Sequence, residues 1–370
     1  FRFLAIQVVK LGRRNPYLLI ALIAILSFIT AAILDEVTSI VYVVMIILEL
    51  AKVLQIDVKP LIIISVLATN TGSAALPIGN PIGVYLFFTA RLSIEAFLRY
   101  SLPLAAINLA VMLSMVFLLL RNYIRKLGET LINYSNRVNM LITHYYATWE
   151  NKQRSVTLFG LLILLMFTAT VSLNEVIASS LTNVTGVYVD PHALLAFIPY
   201  IYIVFSLVVI PSSELPQFLE KSVEWPSIIF FIALFILAYT LTFTGVMTKL
   251  AYTFTKISAS RIYILYPLML LSAAVLSSVL DNLSVIVTYT PIAMSLISMN
   301  IASPLLYFAL LFGGVFGGNY TPMGSTANII AISLAEKRKI SITWGEWLKL
   351  ALIATTSQLM VAILWLFLSS

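Results

Sequence analysis

The chain has no cysteine, only two histidines and few charged residues, and each of these absences excludes a class of protein. Without cysteine there is no disulfide, no thiolate nucleophile and no cysteine-ligated metal. The histidines, His144 and His192, lie in polar stretches, so a histidine-based metal site is not expected. Charged residues make up 10% of the 370 residues and apolar residues 61%. Since soluble domains carry about a quarter charged residues, a soluble globular protein is excluded. The sequence predicts an all-α polytopic membrane protein.

Several apolar stretches reach the roughly 20 residues that a bilayer-spanning helix needs. These stretches are residues 102–120, 156–173, 194–211, 228–245 and 350–368. Positive charge clusters between them: 17 of the 22 lysines and arginines fall in linkers that can all face one side of the membrane. By the positive-inside rule that side is cytoplasmic, in a multi-pass protein of the cell membrane. The net charge of +7 therefore fits topology and contact with the lipid bilayer, and no nucleic-acid partner is expected.

Two polar motifs occur twice along the chain, in the same order. The sequence AAILDEVTSIV (31–41) returns as SSVLDNLSVIV (277–287), and the Pro-x-Gly of TGSAALPIGNPIG (71–83) returns in FGGNYTPMGSTAN (316–328). The first hairpin begins and ends on the cytoplasmic side and the second begins and ends outside, so the repeats are predicted to be inverted, as in secondary transporters. Each Leu-Asp motif marks two short spans or a re-entrant hairpin. Its carboxylate must be buried in protein or face water.

The second motif interrupts an apolar run with glycine, proline and polar residues, at 61–90 and again at 305–335. Proline removes a backbone donor and clashes with the preceding turn, so an α-helix cannot continue through such a stretch. We expect broken helices whose freed carbonyls and half-helix ends line a buried site for Na⁺ or a polar solute. A plain proline kink without a ligand is the alternative, and it explains a matched pair poorly.

These features predict the order of the segments. The first repeat occupies 1–120, with an inner hairpin at 17–54, a broken helix at 61–90 and a span at 99–120. A basic cytoplasmic linker at 121–154 and scaffold spans at 155–260 follow. The second repeat occupies 261–370, with an outer hairpin at 263–299, a broken helix at 305–335 and a final span at 350–369. Three spans precede the second repeat without counterparts before residue 1, so we expect that up to three N-terminal spans are missing.

The repeated Leu-Asp hairpin and Gly-rich Asn/Pro break resemble the ion transporter superfamily over nearly the whole chain. Within it, the chain is most similar to the ArsB, NhaD and P-protein group of arsenite and Na⁺/H⁺ transporters, distantly related to divalent anion–sodium symporters. The resemblance implies an elevator-type carrier, in which hairpins and broken helices move against a scaffold that often forms a homodimer. An ArsB-like protein would also imply a soluble ATPase partner.

The resemblance places the site at the two hairpin tips and the two breaks. The first half-site comprises Asp35, Glu36, Thr38, Asn70, Thr71, Gly72, Ser73, Pro77, Gly79 and Asn80. The second comprises Asp281, Asn282, Ser284, Asn319, Thr321, Pro322, Gly324, Ser325 and Asn328. No cofactor is expected. The symporter branch binds sodium at these tips, so Asp35, Asn70, Asp281 and Asn319 are the candidates to hold a bound Na⁺. Glu36 and the Asn80-Pro81-Ile82-Gly83 segment depart from the family pattern.

Residue chemistry assigns the main roles to Asp35 and Asp281. A carboxylate in the membrane binds a cation or titrates, so cation and proton can compete for it; the alternative is a structural cap of a hairpin turn. Glu36 either joins them or faces cytoplasmic water. Asn108 is expected to bond between helices, and Trp347 to lie in an interfacial belt.

Arsenite-type efflux is the first prediction for the function. Na⁺/H⁺ exchange is the second candidate. Sodium-coupled transport of a dicarboxylate-like anion comes third, because no lysine or arginine lies inside a predicted span to pair an anion, although helix N-termini can bind one. A channel and an intramembrane aspartyl protease are the rival classes. The chain lacks the Tyr-Asp and Gly-x-Gly-Asp motifs of such proteases, so it is not expected to be an enzyme.

Overall fold

A computed structural model of the chain describes residues 10–133, 225–259 and 261–370, together with residues 7, 8 and 143 and parts of 162–204. Two compact units divide the chain: Phe1–Tyr146 with Ala238–Ser370, and Ala147–Leu237. The described residues contain helices and turns and no strand, which confirms the all-α prediction. Most of the predicted spans 156–173 and 194–211, and both histidines, lie outside the described residues.

The first half of the larger unit begins with a hairpin of two helices and a helix that is interrupted. The Asn15 side chain accepts hydrogen bonds from the first backbone amides of α1, and Pro16 supplies the first residue. A left-handed Gln55 ends α2. The helices are α1 (Pro16–Ile33), α2 (Glu36–Leu54), α3 (Lys59–Ser73), α4 (Pro81–Thr89), α5 (Leu102–Leu119) and α6 (Arg121–Asn133).

The second half follows the same order of elements. In the smaller unit lies α7 (Asn174–Thr185), and α8 (Trp225–Phe243) begins there and ends in the larger unit. The remaining helices are α9 (Val246–Ser258), α10 (Ile262–Ser277), α11 (Asn282–Ser298), α12 (Leu305–Gly317), α13 (Thr326–Glu336) and α14 (Trp344–Ser369).

Three helical stretches in the described residues are long and apolar enough to cross a membrane: Pro16–Ile33, Ile94–Leu119 and Trp344–Ser369. The predicted spans 102–120, 350–368 and 228–245 correspond to α5, α14 and α8. Two further helices lie outside the predicted apolar spans. Residues 121–133 form α6, which buries Ile124, Leu127 and Leu131 at helical spacing. Residues 246–258 form α9, which meets the end of α8 at 68° beside the left-handed Gly245.

Each broken helix touches the first helix of its hairpin through glycine. A Cβ added at Gly72 of α3 would collide with the backbone of Phe28 in α1, and one at Gly317 of α12 would collide with the backbone of Ala274 in α10. The two glycines lie 245 residues apart and their two partners 246 residues apart. These are the same distances that separate the two copies of the repeated motifs. Since only glycine lets two helix backbones approach this closely, the same contact is built at equivalent places in both halves.

This packing predicts the effect of a single methyl group. We expect Gly317→Ala to lower the free energy of unfolding by about 1–3 kcal/mol, because backbone rather than a flexible side chain must move. The matched control is Gly345→Ala in α14, where no atom lies within 4 Å of the added Cβ. Thermal unfolding in detergent measures both, and equal melting temperatures would contradict the close helix contact.

Candidate functional site

The two glycine–proline segments interrupt their helices at equivalent positions. Between α3 and α4 the chain makes a 3-10 turn at Pro77–Gly79, and between α12 and α13 it makes one at Gly318–Tyr320. The helix after each break is capped by a polar side chain. Asn80 Oδ1 accepts from the Gly83 amide at 2.6 Å, and Ser325 Oγ accepts from the Ala327 amide at 3.2 Å. Both caps are buried, so these two side chains satisfy backbone amides that water does not reach.

Asn70 joins the first break to the second. Its Nδ2 donates to Asn319 Oδ1 at 2.7 Å and to Asn328 Oδ1 at 2.9 Å, and Ser325 Oγ donates to its Oδ1 at 3.1 Å. All four side chains are fully buried. Asn328 in turn donates to the backbone oxygens of Gly318 and Thr321, inside the second break. The structure therefore brings predicted residues from both half-sites into one amide and hydroxyl cluster.

Ser73 and Asn80 connect the first break to the first hairpin. Asn80 Nδ2 donates to both the backbone oxygen and Oγ of Ser73, each at 3.1 Å. The Ser73 hydroxyl lies 3.4 Å from Glu36 Oε2. This places the Glu36 carboxylate beside the break rather than in cytoplasmic water.

Glu36 is the buried charged residue of the site. It is 4% exposed, and in the part of the chain that the structure describes it is the one Asp, Glu, Lys or Arg side chain that is buried. Asp35 and Asp281 are close enough to interact with it electrostatically. The carboxylates at the tips of both hairpins therefore act on Glu36 electrostatically.

Asp35 and Asp281 also cap the second helix of each hairpin. Asp35 Oδ1 accepts from the Thr38 amide at 2.8 Å, and Asp281 Oδ2 accepts from the amide and hydroxyl of Ser284 at 3.2 and 3.3 Å. Both carboxylates are partly exposed. The capping role considered for them is therefore present, and it leaves oxygen atoms available for a cation or proton.

Two of the buried amides have unused donors. Asn319 Nδ2 and Asn282 Nδ2 have no hydrogen-bond partner in the part of the chain that the structure describes. An unpaired buried donor costs about 1–3 kcal/mol, so each suits an acceptor oxygen on a bound solute. Other predicted residues hold the second break against the end of α10. The Thr321 hydroxyl donates to Ser278 O, and Gly324 packs against Ser277 O. Pro77 and Pro322 are buried at the breaks.

Thr71 and Gly72 follow Asn70 at the end of α3. The Thr71 hydroxyl donates to Leu67 O and accepts from Gln358 Nε2 of α14, and Gly72 makes the contact with α1. Sequence reasoning missed Gln358, although an isolated glutamine inside an apolar span is a usable signal. Asn108 bonds between helices as predicted, to Gln358 O at 3.2 Å.

The interfacial assignment of Trp347 is wrong. The side chain is fully buried and its Nε1 donates to Asn319 O at 3.0 Å, so it supports the second break. Trp344, three residues earlier and half exposed, agrees with an interfacial position.

Sodium would have to be held here by amide and hydroxyl oxygens together with one or two carboxylates. No group of three or more His, Cys, Asp or Glu side chains in the described residues is arranged to hold a metal ion. Oxygen-only sites of this kind suit hard cations.

Apolar helices, a matched pair of interrupted helices and a buried polar cluster between them define a membrane transporter. The chain belongs to the CitMHS family, described as citrate transporter, whose profile matches residues 1–313. It is a multi-pass protein of the plasma membrane.

Relatives support the same class. The chain is 25% identical over 374 residues to the uncharacterized transporter Mb2703 of Mycobacterium bovis, covering 100% of this chain and 81% of that protein. The 46 kDa membrane protein of Mycobacterium leprae is 24% identical over 373 residues, with the same coverage. Human P protein is 22% identical over 415 residues, covering 95% of this chain and 48% of that protein. The similarity to P protein confirms the resemblance inferred from the motifs.

Proposed function

We propose that this chain is an ion-coupled secondary transporter in which a proton or Na⁺ occupies the carboxylates around Glu36. The burial of Glu36 beside Asp35 and Asp281 carries this proposal. Burying a carboxylate in a low-dielectric site costs free energy unless the group is protonated or paired with a cation. No buried lysine or arginine in the described residues supplies that charge. A mobile cation or proton is the remaining partner.

The amide cluster around Asn70 is the proposed solute site. It lies between the two breaks, and Asn319 Nδ2 offers an unused donor there. Matched glycine contacts in the two halves support a structural repeat. The charge pattern predicts that the repeat is inverted, and an inverted repeat would permit alternating access by an elevator motion. A homodimer and a soluble ATPase partner stay predictions of the resemblance.

Arsenite-type efflux is the proposed transport activity. Arsenite is mostly a neutral hydroxide at neutral pH, so amide and hydroxyl groups suffice to bind it. Na⁺/H⁺ exchange is the second candidate, and the burial of Glu36 favours it. The family name favours citrate. That anion would meet the carboxylates of Glu36, Asp35 and Asp281, and the described residues offer it no buried basic side chain, so it would have to bring a cation with it.

Proteoliposomes that contain the purified full chain and an internal pH dye test the proposal. Arsenite, Na⁺ and citrate are added separately. A pH change with arsenite supports coupled efflux, a change with Na⁺ alone supports the exchanger, and a change with citrate that requires Na⁺ supports the cation-paired anion. Solute movement that leaves internal pH unchanged and does not depend on Na⁺ would overturn ion coupling at Glu36.

A further inference from the structure

A second buried polar cluster lies between α5 and α14, away from the carboxylates. Asn108 Nδ2 donates to Gln358 O at 3.2 Å, and Gln358 Nε2 donates to Asn108 O at 3.3 Å. This reciprocal bridge fixes both amides. Thr355 lies three residues before Gln358, on the same face of α14. All three side chains are 0% exposed.

The bridge uses the amide nitrogens and leaves the oxygens open. Asn108 Oδ1, Gln358 Oε1 and Thr355 Oγ1 are buried and have no hydrogen-bond partner among the described residues. Most hydroxyls inside helices bond to a carbonyl of their own helix, as Ser357 does with Ile353 O at 2.8 Å, but Thr355 does not. Buried polar atoms are nearly always paired, so three open oxygens on the facing sides of α5 and α14 indicate a missing partner.

We propose that Asn108 Oδ1, Gln358 Oε1 and Thr355 Oγ1 bind a monovalent cation, Na⁺, between α5 and α14. This site is separate from Glu36 and would give the transporter a second ion position. Its role in coupling rests on the proposed function, whereas ion binding itself does not.

The atoms available decide the class of ligand. An anion is disfavoured because it would face the two amide oxygens, while both donors of Gln358 Nε2 and one donor of Asn108 Nδ2 already have partners. A divalent cation does not fit, because no carboxylate belongs to the cluster and two positive charges would remain uncompensated. Neutral amide and hydroxyl oxygens are ligands that a hard monovalent ion accepts.

The cluster is also connected to the solute site. Gln358 Nε2 donates to Thr71 Oγ1 at 2.8 Å, and Thr71 follows Asn70 in α3. An ion that holds the Gln358 amide therefore stabilises the end of α3, where the first break begins.

The test is Thr355→Val, which removes the open hydroxyl and keeps the shape of the side chain. Melting temperature of the purified full chain in detergent is measured while Na⁺ replaces choline at constant ionic strength. A ligand that binds the folded state raises stability with its concentration, so Na⁺ should stabilise the natural protein, and the variant should need about tenfold more Na⁺ for the same shift. Thr355→Ser should restore the response, and Ser357→Ala in the same helix should leave it unchanged.

Glu36→Gln separates this site from the proposed function. Na⁺ stabilisation that persists in Glu36→Gln and weakens in Thr355→Val supports the second site. If the Na⁺ stabilisation is lost in Glu36→Gln and unchanged in Thr355→Val, the ion lies at the carboxylates. The α5–α14 site is then overturned, and the proposed function is not. If Na⁺ does not change the melting temperature of the natural protein, the α5–α14 cation site is also overturned. Water would then be the partner of the three oxygens.

Discussion

Asn70→Ala should lower the free energy of unfolding by about 3 kcal/mol or more and abolish solute binding. Three hydrogen bonds to Asn319, Asn328 and Ser325 end on this one buried side chain. Each partner left unpaired in a buried place costs about 1–3 kcal/mol, because no water replaces the lost bond. The penalty exceeds that of a typical point mutation because one amide serves both breaks.

Ser65→Ala is the matched control for Asn70→Ala. Ser65 is equally buried in the same helix, but its hydroxyl bonds only to Ile62 O within that helix. Thermal unfolding in detergent and binding of radiolabelled solute are measured for both variants. Equal melting temperatures would mean that the Asn70 cluster does not hold the two breaks together.

Glu36→Gln should abolish coupling while the protein stays folded. Glutamine keeps the shape and the ability to bond with Ser73, but it neither titrates nor attracts a cation. We expect a loss of coupled flux of about 100-fold or more, and unchanged or higher stability, since a neutral amide is cheaper to bury than a carboxylate. The pH-dye assay in proteoliposomes measures the flux.

Glu336→Gln is the control for Glu36→Gln, since it makes the same change at an exposed position. Normal coupled transport by Glu36→Gln would remove Glu36 from the mechanism. Asp35→Asn and Asp281→Asn are also expected to reduce coupling. Their interpretation needs a stability measurement, because each carboxylate also caps a helix.

Local signals in the sequence predicted the breaks and the hairpin tips, because proline, glycine and capping aspartates act on their own neighbourhood. The pairing of Asn70 with Asn319 and Asn328 joins residues about 250 positions apart, and no local pattern specifies which amide meets which. The prediction for Trp347 was wrong because a tryptophan near a span end and beside a lysine fits an interfacial position as well as a buried one. The packing of α14 on the second break buries this side chain, and no local pattern shows that packing. The burial of Glu36 could not be predicted for the same reason, since it depends on Ser73 from another helix.

The glycine contacts of the two halves limit how the site can open. The backbones of the two helices touch where Gly72 meets Phe28, and again where Gly317 meets Ala274. If either pair slid by one helical turn of about 5.4 Å, a side chain would enter a space that has no room for a methyl group. We therefore expect each broken helix and its first hairpin helix to stay together in any opening motion. The other hairpin helices, α2 and α11, begin at the capping carboxylates of Asp35 and Asp281. A gate operated by the coupling ion would consequently be formed by the starts of α2 and α11, where ion binding and helix position share the same oxygen atoms.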